Sequence, residues 1–194
     1  MVLIFLDQSD GHIKKGSYEA ASYGAKLAEN LGTSAEGIVL GTVNDDLPSL
    51  GKYGLKKIYT VKNEALNNFD DEAYTHIIAE AVKNIDAKVI IFSNNFNGKA
   101  IAPRLSVRLK AGIVSGAISL PDTSAGFIVK KNVFSGKAFA NVAIKTDIKI
   151  VSLNANAYKA TEGEGTAEVS ELAVEIPVSK VKVKAVNKVS GEVP

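Results

Sequence analysis

Apolar residues along this chain alternate between two spacings, and the alternation predicts strands and helices in turn through the first 110 positions. Val2 to Leu6 is an unbroken apolar run closed by Asp7, the pattern of a strand covered on both faces. Gly11 opens a loop, and a helix is predicted from about Lys14 to Leu31. Ala21, Ala25 and Ala28 form one stripe of it, Leu27 and Leu31 lie beside them, and Asn30 and Gly32 supply the stop. Ala35 to Leu40 reads as the next strand. A short helix around Asp46 to Lys52 leads to Tyr53-Gly54 and then to a strand at Lys57 to Val61. Tyr74, Ile77, Ile78, Ala81, Val82 and Ile85 recur at helical spacing behind Asp70-Asp71-Glu72, whose charge suits a helix N-terminus. Lys88 to Phe92 is the fourth strand. The loop Ser93 to Gly98 follows, then a helix to Lys110 with Ile101, Leu105 and Leu109 inward and Pro103 in its early turns. Such alternation predicts right-handed βαβ units and a parallel sheet over residues 2–110.

The spacing changes after Gly112. Ile113 to Leu120, Phe127 to Lys130, Phe139 to Ile144 and Lys149 to Leu153 all read as strands separated by turn residues. Some are expected to pair antiparallel at one sheet edge. Residues 160–166 form a polar, glycine-rich connector. The tail beyond it runs acidic (Glu168, Glu171, Glu175) and then basic (Lys180, Lys182, Lys184, Lys188). Val181 to Lys184 alternates cleanly and predicts a last, half-exposed strand. The fold class is therefore α/β, a Rossmann-like three-layer sandwich with a mostly parallel sheet, plus an antiparallel β portion in the second half. Residues 1–160 form the domain, and residues 161–194 are a connector and extension.

Composition narrows function mainly by exclusion. Lys and Arg number 23 against 21 Asp and Glu, a net charge of +2 that argues for neither nucleic acid nor an anionic membrane as partner. Cysteine is absent, which removes disulfides, thiolate metal sites and a cysteine nucleophile. The opening apolar run is far shorter than a signal peptide or the about 20 residues of a membrane span, so a soluble cytoplasmic protein is expected, without membrane insertion.

The turn after the first strand, Asp7-Gln8-Ser9-Asp10-Gly11, lacks the three spaced glycines of a dinucleotide fold, and no stretch matches a P-loop. His12 and His76 are far apart and outside any metal-binding spacing, and His76 is expected to pack or to lie on the surface. Asp45-Asp46 and Asp70-Asp71 read as helix caps rather than paired catalytic carboxylates. The lysines of 180–188 read as a solvated strand face or a docking patch. No catalytic or metal-binding residue is predicted. Two loops at strand carboxyl ends remain as weak ligand candidates, Asp7 with Gln8, and Ser93, Asn94 and Asn95 through Gly98. Free backbone N–H groups there would suit an anion; the competing reading is helix capping and turn formation.

Five stretches in order resemble the α subunit of electron-transfer flavoproteins. They are the opening strand into Asp7-Gln8 with Asp10-Gly11-His12-Ile13-Lys14-Lys15; Val39-Leu40-Gly41 with Tyr53-Gly54 and Lys57-Ile58-Tyr59; and Asn97 to Leu109, similar to the family's Leu/Ile-Ala-Pro-Arg-Leu-Ala. The last two are Phe134-Ser135-Gly136-Lys137-Ala138 and Ile150 to Tyr158, where Asn154-Ala155 replaces the family's Arg-Pro. The resemblance covers essentially the whole chain and implies an adenine-nucleotide α-hydrolase-like fold. It also implies an electron-carrier subunit rather than an enzyme, a heterodimer with a β subunit, and exchange with flavin dehydrogenases and a quinone oxidoreductase or other acceptor. FAD is implied for the intact αβ protein, in a domain that would lie beyond Pro194, so no FAD-binding residue carries over to this chain. The alternative is a free-standing nucleotide binder of the universal-stress or ATP-pyrophosphatase type.

Overall fold

A computed structural model describes residues 1–186. The chain runs β1 (Val2–Phe5), a small ribbon of β2 (Gln8–Ser9) and β3 (His12–Ile13), α1 (Lys15–Asn30), β4 (Ala35–Leu40), a 3-10 segment at Leu47–Tyr53, β5 (Lys57–Val61) and α2 (Asp71–Asn84). It continues with β6 (Val89–Ser93), α3 (Phe96–Leu109), β7 (Gly112–Ala117), β8 (Ile128–Val133), β9 (Ala138–Ala143), β10 (Lys149–Leu153) and β11 (Glu168–Glu171). Nine strands form one sheet in the order β11-β5-β4-β1-β6-β10-β7-β8-β9. Pairing is parallel from β11 to β7 and antiparallel between β7 and β8 and between β8 and β9.

The unbroken apolar run of β1 follows from its place at the sheet centre. Val2 and Ile4 face one hydrophobic cluster, shared with Ala20, Tyr23 and Leu27 of α1. Leu3 and Phe5 face a second, shared with Ile77 and Ile78 of α2 and Ile101 and Leu105 of α3. Successive strand side chains point to opposite faces, so a strand covered on both sides must be apolar throughout. The result is the three-layer α/β sandwich expected, and no long helix lies between Ile113 and Leu153.

The parallel sheet draws on more of the chain than residues 2–110. β10 inserts between β6 and β7, with Lys149 opposite both Val89 and Gly112, so two of the four late strands belong to the parallel part. Only the β8–β9 hairpin continues the sheet in antiparallel sense, with six residue pairs from Ile128↔Ala143 to Val133↔Ala138.

The expected strand at Val181 to Lys184 does not form. The outer edge of β5 is taken instead by Glu168–Glu171, with Leu172 N–H donating to Thr60 O at 2.9 Å. Beyond it Leu172, Val174 and Ile176 pack on the α2 side of the core. The Ser179 hydroxyl then donates to the Asp70 carboxylate, and Lys180 reaches Glu72 at 2.7 Å. Alternation alone does not make a strand; here the segment is drawn to Asp70 and Glu72 at the start of α2 instead. Lys188 and the residues after it lie outside the described part of the chain.

Candidate functional site

In an open parallel sheet, ligands enter at the strand carboxyl ends where the winding reverses. Here the reversal lies between β1 and β6, because the chain leaves β1 toward β4 and β5 and returns through α2 to β6 on the other side. Asp7 stands just past the end of β1, and Ser93 to Gly98 follow β6. Topology thus brings both sequence-flagged loops to one crevice.

Side chains of the protein fill that crevice. Asp7 is 2% exposed. Its Oδ2 accepts from Lys14 Nζ at 2.9 Å and Asn95 Nδ2 at 2.7 Å, and its Oδ1 from Asn97 Nδ2 at 2.9 Å. Its carbonyl accepts from Lys14 N and Ser17 Oγ. One residue therefore joins the start of α1 to the start of α3. Charge-assisted bonds to a buried carboxylate are among the stronger polar contacts a protein makes, and both oxygens here are used.

The neighbouring candidates are equally occupied. Gln8 donates to Leu40 O at 3.1 Å and accepts from Gly11 N at 3.0 Å, tying the β1 loop to the end of β4. Asn95 caps α3, its Oδ1 accepting from Gly98 N at 2.9 Å. Asn94 bridges β6 to β10, donating to Asn154 at 2.7 Å and accepting from Ser152 Oγ at 3.0 Å. Gly98 packs against the β6 terminus so closely that a Cβ would lie 2.0 Å from Ser93 O. Ser93 Oγ is buried without a hydrogen-bond partner among the described residues.

Sequence reading flagged Asp7 and Asn95 but not the residues that complete their network. Asn97 lay within the flagged Ser93 to Gly98 loop without being singled out, and Lys14 was the missing partner; a basic residue seven positions after a strand-end acid was the available signal. A second crevice, of about 290 Å³, opens beside the first turn of α1 and includes Lys15, Gly16, Ser93 and Asn156. At its wall Glu19, 6% exposed, accepts from Asn156 N at 2.9 Å. A third, of about 330 Å³, lies over the ends of β4 and β5 among Gln8, Asp10, Asn44 and Asn67.

The remaining flagged groups are in structural pairs. Asp45 accepts from Ile13 N at 2.6 Å and contacts His12 Nδ1 at 2.8 Å, and these bonds hold its carboxyl below the ordinary range. Asp46 begins the 3-10 segment but makes no side-chain cap. Asp70 caps α2, accepting from Glu72 N at 2.9 Å and Ala73 N at 3.0 Å. Burial raises its pKa, but the bonds from Ser179, Ala73 and Glu72, with the Arg104 charge, outweigh that and set it below normal. Asp71 pairs with Arg104 at 2.9 Å, and His76 meets Arg108 at 2.6 Å on the surface. Among the described residues no group of three or more His, Asp or Glu is placed to hold a metal ion, and no helix is long and apolar enough to cross a membrane.

A family model described as the electron transfer flavoprotein domain matches residues 2–177. The electron transfer flavoprotein subunit alpha of Syntrophomonas wolfei is 28% identical over 142 residues, covering 73% of this chain and 44% of that protein. The subunit alpha of Bacillus subtilis is 22% identical over 186 residues, covering 93% of this chain and 55% of the relative. The acryloyl-CoA reductase electron transfer subunit beta of Anaerotignum propionicum is 28% identical over 120 residues, 61% of this chain and 33% of that protein. The chain thus spans about half or less of the length of these relatives. Fold, order of motifs and family match agree: the chain belongs to the electron transfer flavoprotein family.

Proposed function

We propose that this chain is the N-terminal scaffold and docking module of an electron-transfer flavoprotein α subunit. In this reading it pairs with a β subunit in a cytoplasmic, FAD-containing αβ carrier. The carrier takes electrons from flavin dehydrogenases and hands them to a quinone oxidoreductase or another acceptor. The observation that carries the reading is the filled switch point. Where a nucleotide would enter such a sheet, Asp7 is bonded to Lys14, Asn95 and Asn97, and the chain has no glycine-spaced phosphate loop. A family member whose first domain closes its own ligand crevice is suited to support its neighbours rather than to do chemistry.

FAD does not fit the carboxyl-end crevices. At about 290 and 330 Å³ they sit at the lower limit of small-ligand pockets. The carboxylates of Glu19 and Asp10 at their walls oppose a pyrophosphate. In this reading the flavin is held outside these residues, as the family resemblance implies, and the residues of 160–190 contribute to the β-subunit contact. Redox work is the flavin's, and the protein positions it.

Size-exclusion chromatography with light scattering, on the chain mixed with its β subunit, tests the pairing. A 1:1 complex at micromolar concentration is the expected result. Two separate monomer peaks at tens of micromolar would contradict it.

A further inference from the structure

Ser93, at the end of β6, is 8% exposed, and its Oγ has no hydrogen-bond partner among the described residues. A buried hydroxyl without a partner is costly, and native proteins leave few of them. This one belongs to the wall of the crevice of about 290 Å³ beside α1. A Cβ on Gly16 would lie 3.0 Å from the Ser93 oxygen, so the glycine leaves that oxygen room.

The first turn of α1 forms the facing wall. The helix begins at Lys15 without a side-chain cap, and the first N–H groups of a helix have no acceptor within it. Lys15 and Gly16 both border the crevice. One turn on, about 6 Å along the helix, stands Glu19, 6% exposed. Its Oε2 accepts from Asn156 N at 2.9 Å, but Oε1 has only Lys15 Nζ at 3.8 Å, too far for a hydrogen bond. The crevice therefore has donors without acceptors at one end and an acceptor without a donor at the other. Asp7 pairs with Lys14 and Glu19 with Lys15, so its surroundings are balanced in charge. Balance of that kind disfavours a polyanion such as a pyrophosphate.

We propose that this crevice binds a small apolar α-amino acid as its zwitterion. The ligand carboxylate accepts from the Lys15 and Gly16 amides and from Ser93 Oγ, which gains the partner it lacks. The ammonium group donates to Glu19 Oε1 and replaces the loose Lys15 contact. Leu153 and Ala155, which border the same crevice, receive the apolar side chain. Both poles of an α-amino acid sit on one carbon, so the first turn of α1 and Glu19 can hold them together. Its zero net charge suits the balanced walls. The assignment does not depend on the pairing proposed above.

The test is an amide NMR titration of the full chain with L-valine. Saturable shifts at Lys15, Gly16 and Glu19 are expected, with a Kd of about 0.1–1 mM. Isovalerate, which lacks the ammonium group, and isobutylamine, which lacks the carboxylate, should each bind about 10-fold more weakly or worse. Ser93→Ala and Glu19→Gln should each raise the Kd for valine about 10-fold. Ser93→Ala should also leave Tm unchanged or raise it, because its hydroxyl has no partner to lose. No saturable shift up to about 20 mM valine would overturn the site. Isovalerate binding as tightly as valine would make it a plain anion site and overturn the zwitterion. Valine binding within about twofold of the parent in both variants would place the ligand elsewhere.

Discussion

Replacing Asp7 with alanine is expected to destabilise the chain by about 3 kcal/mol, a fall of roughly 6–12 °C in Tm for a domain of this size. The carboxylate is 2% exposed and takes three side-chain donors. Its loss leaves the buried Asn97 amide without an acceptor and unties the starts of α1 and α3. Lys14, whose side chain is 38% exposed, turns to water, which limits the damage to the two amides and the bridge. Asp7→Asn keeps the volume but presents an N–H to three donors, so it should recover less than half of the loss. The sign separates the two roles open to a residue at this position. A ligand-holding carboxylate is commonly held at a cost to stability, and its removal is neutral or stabilising. Urea unfolding of the two variants measures the difference. A loss below about 0.5 kcal/mol would mean that Asp7 is not the fastener described.

The second large effect is expected at Gly51, where the 3-10 segment meets the connector. A Cβ there would lie 2.4 Å from Ala167 N and Thr166 C and 2.5 Å from Thr166 Cα. Those are backbone atoms that cannot rotate aside. The neighbouring backbone is itself bonded, Ala167 N to Pro48 O at 2.9 Å and Glu168 N to Lys56 O at 3.0 Å. Gly51→Ala should therefore release β11 from β5 at a cost of about 2–3 kcal/mol, in the range of overpacked sites. Hydrogen exchange is the measurement. The amides of Ala167, Glu168 and Leu172 should exchange about 30-fold faster or more, while those of β1 and β6 keep their protection. Unchanged protection at these three amides would show that the connector is held by something other than this contact.

The hydrophobic pattern carried most of the fold because most of the sheet is buried on both faces. β4, β5 and β10 have the same first and last residues in structure as in the apolar runs of the sequence. What the pattern leaves open is which strand lies beside which. An apolar run at 149–153 says that β10 is covered on both sides, but not that it inserts between β6 and β7. β11 reads Glu-Val-Ser-Glu and is held to β5 by backbone bonds, with Ala167 and Leu172 packed at its two ends. An edge strand held chiefly by its backbone has no hydrophobic signature, whereas Val181 to Lys184 has one and pairs with no strand. Register and edge competition are properties of the assembled sheet.

The candidate site was legible in a similar measure. Position after a strand identified Asp7 and Asn95, since the carboxyl ends of the strands are where this architecture places polar loops. Their use was not legible. Whether a strand-end aspartate awaits a ligand or is closed by its own chain depends on Lys14, Asn95 and Asn97 converging on it, across sequence separations of 7, 88 and 90 residues. No local pattern encodes that meeting. The resemblance to electron-transfer flavoproteins adds what composition and spacing lack, the expectation that the cofactor is held outside these residues.

The most direct measurement of that division of labour is an FAD titration of the purified chain, followed by flavin fluorescence with the absorbance near 450 nm recorded beforehand. A colourless preparation is expected, with no saturable quenching below millimolar FAD. That corresponds to a binding free energy no better than about −4 kcal/mol. At the sheet's switch point α3 is capped by Asn95, and the buried Asp7 carboxylate stands beside the uncapped start of α1, so a pyrophosphate would meet a negative charge there. A yellow preparation with near-stoichiometric FAD, or micromolar saturable binding, would place the flavin site within these residues and contradict the account.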